Sequence, residues 1–271
     1  MHFRVLGPLE VEHNGKDLTP RAAKQRKVLA ALLLQGNRPV KISELIRELW
    51  DDDPPASAVN TLQTYVLRIR RMLDAAAADG TRPSGKNVLL TAPVGYQFRL
   101  GHGQLDLHDF ERLSEAGIEA MQHDQFHIAA MQFRAALERS RGPALADVQT
   151  GPLLGVHVAR LAEQVLRVRE LRIEANLRLG RHAMLISELT GLVAEHPTHE
   201  RFHGQLMVAL YTAGRRAEAL DLFRRLRASM VRELGLEPAD WLTRLQHAIL
   251  TGDSGPLNPV ATPAYQAASS W

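Results

Sequence analysis

The pattern of apolar and polar positions divides the chain near residue 100. Over residues 2–18, Phe3, Val5 and Leu6 are followed by Gly7-Pro8, then by Leu9 and Val11, then by Asn14-Gly15. Period-two alternation predicts half-buried strands, and Asn-Gly between such runs is a hairpin signal because both residues tolerate positive φ. Two or three short strands are expected. The period then lengthens. Pro20 suits the first turn of a helix. Val28, Leu29, Ala31, Leu32 and Leu33 carry that helix to about Gln35, where Gly36-Asn37 stops it. Ser43 is a candidate N-cap for a short second helix with Leu45, Ile46, Leu49 and Trp50 inward. The run Asp51-Asp52-Asp53-Pro54-Pro55 breaks it. A third helix begins at Ser57 and continues to about Ala77. Residues 80–87 are rich in Gly, Pro, Ser and basic groups. Val88-Leu89-Leu90 and Tyr96-Gln97-Phe98 then flank Pro93-Val94-Gly95, a small hairpin with Gly95 permitting its tight turn.

From Leu105 to about Leu250 the apolar spacing is helical almost throughout, with breaks near Gly142-Pro143, Gly151-Pro152, Gly180, His196-Pro197, Gly214 and Gly235. Leu179-Gly180-Arg181 and Ala213-Gly214-Arg215 lie 34 residues apart, the tetratricopeptide period. Asp124-Gln125-Phe126 opens a similar segment, and the small residues Ala130, Ala217 and Ala219 would let paired helices approach. The expected fold is mainly α. A winged helix-turn-helix of small strands and three helices occupies residues 1–100, and an all-α, tetratricopeptide-like repeat domain occupies 104–251. Residues 252–271, with few core formers, read as a disordered tail.

At 100° per residue, helix 57–74 places Ala58, Val59, Leu62, Tyr65, Val66, Ile69, Met72 and Leu73 on one side. Asn60, Thr64, Leu67 and Arg71 lie opposite, with Gln63 and Arg68 on the flanks. Amides, hydroxyls and guanidinium forks are the groups that read base edges in a major groove. Arg68, Arg70 and Arg71 cluster at the C-terminal end, where they suit the helix dipole and can reach phosphates. A solvated charged face would show the same pattern. The context favours DNA: a short capped helix lies just before it, and a hairpin that could serve as a wing just after. Arg82, Lys86 and Asn87 precede that wing, Tyr96 lies on it, and Arg99 stands at its exit.

Charge sharpens this picture. Residues 1–100 hold 15 Lys/Arg against 10 Asp/Glu, and the remainder holds 18 against 20. A basic first domain suggests a polyanionic partner. Cysteine is absent, which excludes disulfides and thiolate metal sites and fits a reducing cytoplasm; for a protein that reads DNA, the expected place there is the nucleoid. No signal peptide and no apolar run long enough to span a membrane is visible.

Specific residues carry a resemblance. Arg-Ile-Arg-Arg-Met-Leu (68–73) and Thr91-Ala92-Pro93-Val94-Gly95-Tyr96-Gln97-Phe98 resemble the OmpR-type winged helix, although Ala92-Pro93-Val94 replaces the Arg-Gly lead of its wing. Behind it, Pro143-Ala144-Leu145-Ala146-Asp147-Val148, Leu177-Arg178-Leu179-Gly180-Arg181-His182, and Glu200 with Gln205 through Tyr211 resemble the bacterial transcriptional activation domain. So do Gly214-Arg215-Arg216-Ala217-Glu218-Ala219-Leu220 and Glu233-Leu234-Gly235-Leu236-Glu237-Pro238. This order resembles the short, stand-alone form of the Streptomyces antibiotic regulatory protein (SARP) family. The resemblance implies an activator of antibiotic biosynthetic genes that binds tandem direct repeats of double-stranded DNA and recruits RNA polymerase. Direct repeats imply a dimer bound head to tail. Asn60, Gln63, Thr64, Arg68 and Arg71 match the recognition-helix positions. Asp51, Asp52 and Asp53 lie where OmpR-type proteins face polymerase and its sigma factor; a helix stop with solvated charges is the equal alternative.

One string could name an enzyme. His199-Glu200-Arg201-Phe202-His203 is H-E-x-x-H, which on a helix would aim two imidazoles at zinc beside a glutamate base. A zincin also needs a third ligand and a cleft beside a sheet, whereas this segment follows the Pro197 break in a helical array. His123 and His127 form a second i,i+4 pair, read as a surface pair. No phosphate loop, dinucleotide fingerprint or nucleophile elbow occurs. The expectation is a non-enzyme with no cofactor and no membrane partner; a repeat scaffold with an incidental basic domain is the alternative class.

Overall fold

The computed structural model describes residues 1–76, 84–101 and 104–252. The expected tail, apart from Gly252, and Arg82 lie outside those residues. Strands β1 (His2–Arg4), β2 (Glu10–His13) and β3 (Lys16–Asp17) form an antiparallel sheet in that order. His13 pairs with Lys16 across the turn, where Asn14 and Gly15 take φ of 50° and 75°. These are the left-handed values that a two-residue hairpin loop requires.

Helices α1 (Ala23–Leu34), α2 (Ile42–Trp50) and α3 (Ala58–Ala76) follow, with β4 (Val40–Lys41) directly before α2. Pro20 precedes α1 rather than lying in its first turn. Every residue from Val28 through Leu34 is buried. A helix apolar on all sides must be enclosed on all sides, and α1 packs on α2, on α3 and on strand β6 (Gly95–Phe98). Each buried leucine contributes about 1.5–3 kcal/mol. Ser43 lies inside α2, not at its cap. The cap is Lys41, whose N–H donates to the Glu44 carboxylate at 3.1 Å. The reason is β4: Val40 pairs with Tyr96 and Lys41 with Gly95, so the chain leaves a strand straight into the helix.

A single helical turn, α4 (Gly85–Val88), leads into β5 (Leu89–Ala92), which pairs with β6 through a loop of only Pro93 and Val94. The second sheet has the order β4-β6-β5. Gly95 has no left-handed φ to supply. A Cβ there would lie 1.9 Å from the Val40 carbonyl oxygen, so its function is close approach of β6 to β4. Phe3 and Phe98 meet edge to face, with ring centroids 5.2 Å apart, and join the two sheets.

The remaining helices are α5 (Asp106–Gln122), α6 (Phe126–Leu137), α7 (Pro152–Arg178), α8 (His182–Glu195), α9 (Glu200–Thr212), α10 (Arg216–Leu234) and α11 (Asp240–Thr251). The chain forms two compact units. The first comprises Met1–Ala116 and Arg134–Val168; the second comprises Gly117–Phe133 and residues from Arg169 onward.

In the first unit the loop after β1 is held by later residues. The Asp106 carboxylate accepts the N–H groups of Val5 and Leu6 at 2.9–3.0 Å, and burial pushes its pKa up despite those bonds. Arg141 N–H donates to Leu6 O at 2.7 Å and Leu145 N–H to Val5 O at 3.0 Å. Asp147 accepts the Leu9 N–H at 2.8 Å and also pairs with Arg26.

In the second unit, three helix junctions share one geometry. The residues with positive φ are Asp124 (54°), Gly180 (73°) and Gly214 (77°). In each case the next residue donates back to a carbonyl five positions earlier: Gln125 to Ala120, Arg181 to Asn176 and Arg215 to Leu210. This six-to-one bond is that of a Schellman cap, which satisfies carbonyls the helix end leaves open. The 34-residue period therefore corresponds to a repeated backbone turn. Ala130 and Ala219 are buried, as close approach of paired helices requires, whereas Ala217 is exposed and plays no such part.

Candidate nucleic-acid interface

Helix α3 buries Ala58, Leu62, Val66, Ile69 and Leu73, a stripe at three- and four-residue spacing. Its opposite face exposes Asn60, Gln63, Thr64, Leu67, Arg68 and Arg71. Val59, placed inward by angle alone, is 43% exposed, and Leu67 is 44% exposed amid polar neighbours. Arg68 and Arg71 make no hydrogen bond or ion pair with a described residue. The Thr64 hydroxyl donates to the Asn60 carbonyl at 3.0 Å, which leaves its oxygen as an acceptor.

Two other candidates are differently placed. Arg70 is half-buried. Its Nε donates to Leu89 O and its Nη2 to Thr91 Oγ1, both at 2.9 Å, so its guanidinium ties α3 to β5. Tyr96 is 6% exposed and sits in the central strand of the wing sheet. Lys86 and Asn87 are exposed on α4. That turn lies against the α3 backbone: the Gly85 N–H donates to Asp74 at 2.6 Å, and a Cβ at Gly85 would lie 2.3 Å from Arg70 O. Neither α4 nor β4 is visible in the periodicity, since each is too short to repeat.

Asp51, Asp52 and Asp53 are all exposed in the turn after α2, and Asp51 takes φ 56°. Trp50 anchors the start of that turn, with the Lys24 ammonium 4.4 Å from its ring centroid. Glu48, one turn back, is 2% exposed, and its carboxylate takes backbone N–H groups of Gly151, Leu153 and Leu154. Sequence reasoning missed Glu48, Asp106 and Asp147. Their partners are a hundred or more residues away, beyond the reach of any local pattern.

The H-E-x-x-H string is occupied otherwise. His199 Nε2 lies 3.0 Å from Glu170, and Glu200 accepts the Ala239 N–H at 2.5 Å, capping α11. His203 is buried, with Nδ1 bonded to the His199 carbonyl at 3.1 Å. Among the described residues, no three His, Asp or Glu side chains group as metal ligands. Burial, then the nearby His199 and Arg225, holds the His203 pKa below the ordinary imidazole value, although its bond to the His199 carbonyl acts against this. The unfolded chain therefore binds a proton that the folded chain refuses. Stability linked to neutral His203 is present above about pH 6.5 and is lost as the pH falls below it. We expect His203→Gln to flatten the fall in Tm between about pH 7 and pH 5; an unaltered slope in thermal melts would contradict the linkage. Among the described residues no helix is long and apolar enough to cross a membrane.

Comparison with known proteins agrees with this architecture. Residues 16–98 match the family described as transcriptional regulatory protein, C terminal, and residues 105–250 match the bacterial transcriptional activator domain. Regulatory protein DnrI of Streptomyces peucetius is 45% identical over 255 residues, 94% of each chain. Transcriptional regulatory protein MoaR1 of Mycobacterium tuberculosis is 36% identical, over 92% of this chain and 79% of that protein. The solved structure of Mycobacterium tuberculosis EmbR, in complex with a low-affinity phosphopeptide, matches with a TM-score of 0.91 at 31% identity. That match covers 98% of this chain and 69% of the EmbR chain. An OmpR-type winged helix followed by a bacterial transcriptional activator domain, with such relatives over nearly its whole length, places the chain in the SARP family of transcriptional regulators.

Proposed function

We propose that this protein is a sequence-specific activator that binds tandem direct repeats near promoters and recruits RNA polymerase. Its targets are genes of antibiotic or other secondary-metabolite biosynthesis, the role that the family resemblance implies. The observation that carries the DNA reading is the exposed face of α3, where Arg68 and Arg71 have no described partner while the opposite face is locked into the core. Asn60, Gln63, Thr64, Arg68 and Arg71 read base edges. Leu67 presents an apolar surface of the kind that meets thymine methyl groups. Lys86 and Asn87 contact the phosphate backbone, and Arg70 and Tyr96 hold the wing in place for them. The acidic turn Asp51–Asp53 faces basic surfaces of polymerase or sigma factor. Residues 1–100 supply recognition and 104–251 activation, with two protomers head to tail on the repeats in the cytoplasmic nucleoid.

Genome-wide footprinting followed by run-off transcription tests this. We expect footprints of two or more equally oriented sites about one helical turn apart, and more transcript when protein is added to purified polymerase. Binding should weaken steeply with salt, because each neutralised phosphate contributes about −0.9 to the slope of log K against log salt. Binding without salt dependence, or only to palindromes, would refute the DNA reading. Less transcript would reverse the sign of regulation.

A further inference from the structure

Helix α7 begins at Pro152, and the Gly151 carbonyl accepts the Gly155 N–H at 2.9 Å. Gly151 thus stands at the N-cap position with no side chain to accept the orphan N–H groups of the first turn. A side chain has no room there, since a Cβ on Gly151 would lie 2.6 Å from the Glu48 carbonyl oxygen and 2.9 Å from its carboxyl carbon. The cap comes from another element. Glu48 Oε1 accepts the Gly151 N–H at 2.6 Å, and Oε2 accepts those of Leu153 and Leu154 at 2.9 and 3.1 Å. Lys27 of α1 donates to the Glu48 backbone carbonyl at 3.1 Å and fixes that end of α2. A buried carboxylate on the positive end of a helix, with three charge-assisted bonds, is a strong and directional joint.

We infer that Glu48 is a positioning residue for activation: it clamps the first turn of α7 to the helix-turn-helix, so that α7 keeps a fixed register to the DNA-reading helix. The inference rests on the DNA-binding reading above. Glu48 lies within α2, which packs on α1 and α3, and it precedes the acidic turn by three residues. It does not touch the exposed face of α3. Its loss should therefore spare DNA affinity while releasing α7.

Full-length Glu48→Gln and Glu48→Ala test this. The amide variant keeps the volume but places an N–H₂ against backbone donors, so it serves where alanine prevents folding. We expect hydrogen exchange at Gly151, Leu153 and Leu154 to rise about tenfold or more, since charged-group bonds of this kind are lost. Operator affinity should stay within about twofold, and run-off transcription should fall about fivefold or more, because the loss is one of positioning and not of contact. Affinity and transcription falling together would overturn the positioning role in favour of a merely structural one. So would undiminished transcription despite faster exchange. Unaltered exchange would show that the carboxylate is not the cap. If the unsubstituted protein itself fails to bind DNA, the functional reading fails, and the exchange arm still reports on the clamp separately.

Discussion

Alanine at Arg68 and Arg71 together is expected to lower operator affinity at least about thirtyfold, without loss of fold. An arginine fork on a guanine edge is worth about 1–3 kcal/mol, and two such contacts give the lower bound. Both side chains are exposed and make no described intramolecular bond, so stability should stay within about 0.5 kcal/mol. Fluorescence anisotropy on a footprinted site, at two salt concentrations, separates the modes. If the two arginines bind phosphates rather than bases, affinity falls equally on unrelated DNA and the salt slope becomes shallower by about two. Arg70→Ala is the internal contrast. It removes the bonds to Leu89 and Thr91 and should cost about 1–3 kcal/mol of stability. Equal DNA loss in Arg70→Ala with an unmoved Tm would refute this division of labour.

Gly95→Ala is expected to destabilise the protein by about 3 kcal/mol or more, an unusually large effect for one methyl group. The added carbon would stand 1.9 Å from Val40 O, 2.8 Å from Val40 C and 2.9 Å from Lys41 Cα. All three are backbone atoms, so no rotamer change relieves the clash. The β4–β6 pairing must open, and α2 begins immediately after β4. A fall in Tm of roughly 6–12 °C corresponds to that loss in a unit of this size. Gly15→Ala calibrates the experiment. Gly15 has φ 75° but nothing within 4 Å of a Cβ, so only backbone strain of about 1 kcal/mol applies. Similar Tm values for the two variants would show that the close approach does not govern stability.

What the sequence disclosed follows from the range of the interactions. The α3 stripe was legible because 19 residues give five turns of a repeating period. The Asn14-Gly15 turn was legible because its chemistry is local. Strand β4 was not, since two residues carry no period and are a strand only through pairing with Tyr96 and Gly95. Gly95 was read as a turn former because glycine reports permissiveness and not its cause; the neighbour that demands it is some 55 residues earlier. Arg70 looked like its neighbours Arg68 and Arg71, and only the position of β5 separates them. The internal period came through because the Gly180 and Gly214 caps recur with the same residue, whereas Asp124 performs the same turn with a different one.

The carboxylates of Asp106 and Asp147 bear on how such regulators can be recombined. They close the backbone of Val5, Leu6 and Leu9, while Glu48 closes that of Gly151, Leu153 and Leu154. An exchange of DNA-reading segments between relatives, spliced at residue 100, would part each donor from its acceptor and leave up to six N–H groups, buried or half-buried, dependent on a foreign sequence. The transferable segment is longer than the recognition domain. It runs through the opening helices behind that domain, and chimaeras that respect this seam should inherit a matched set of caps.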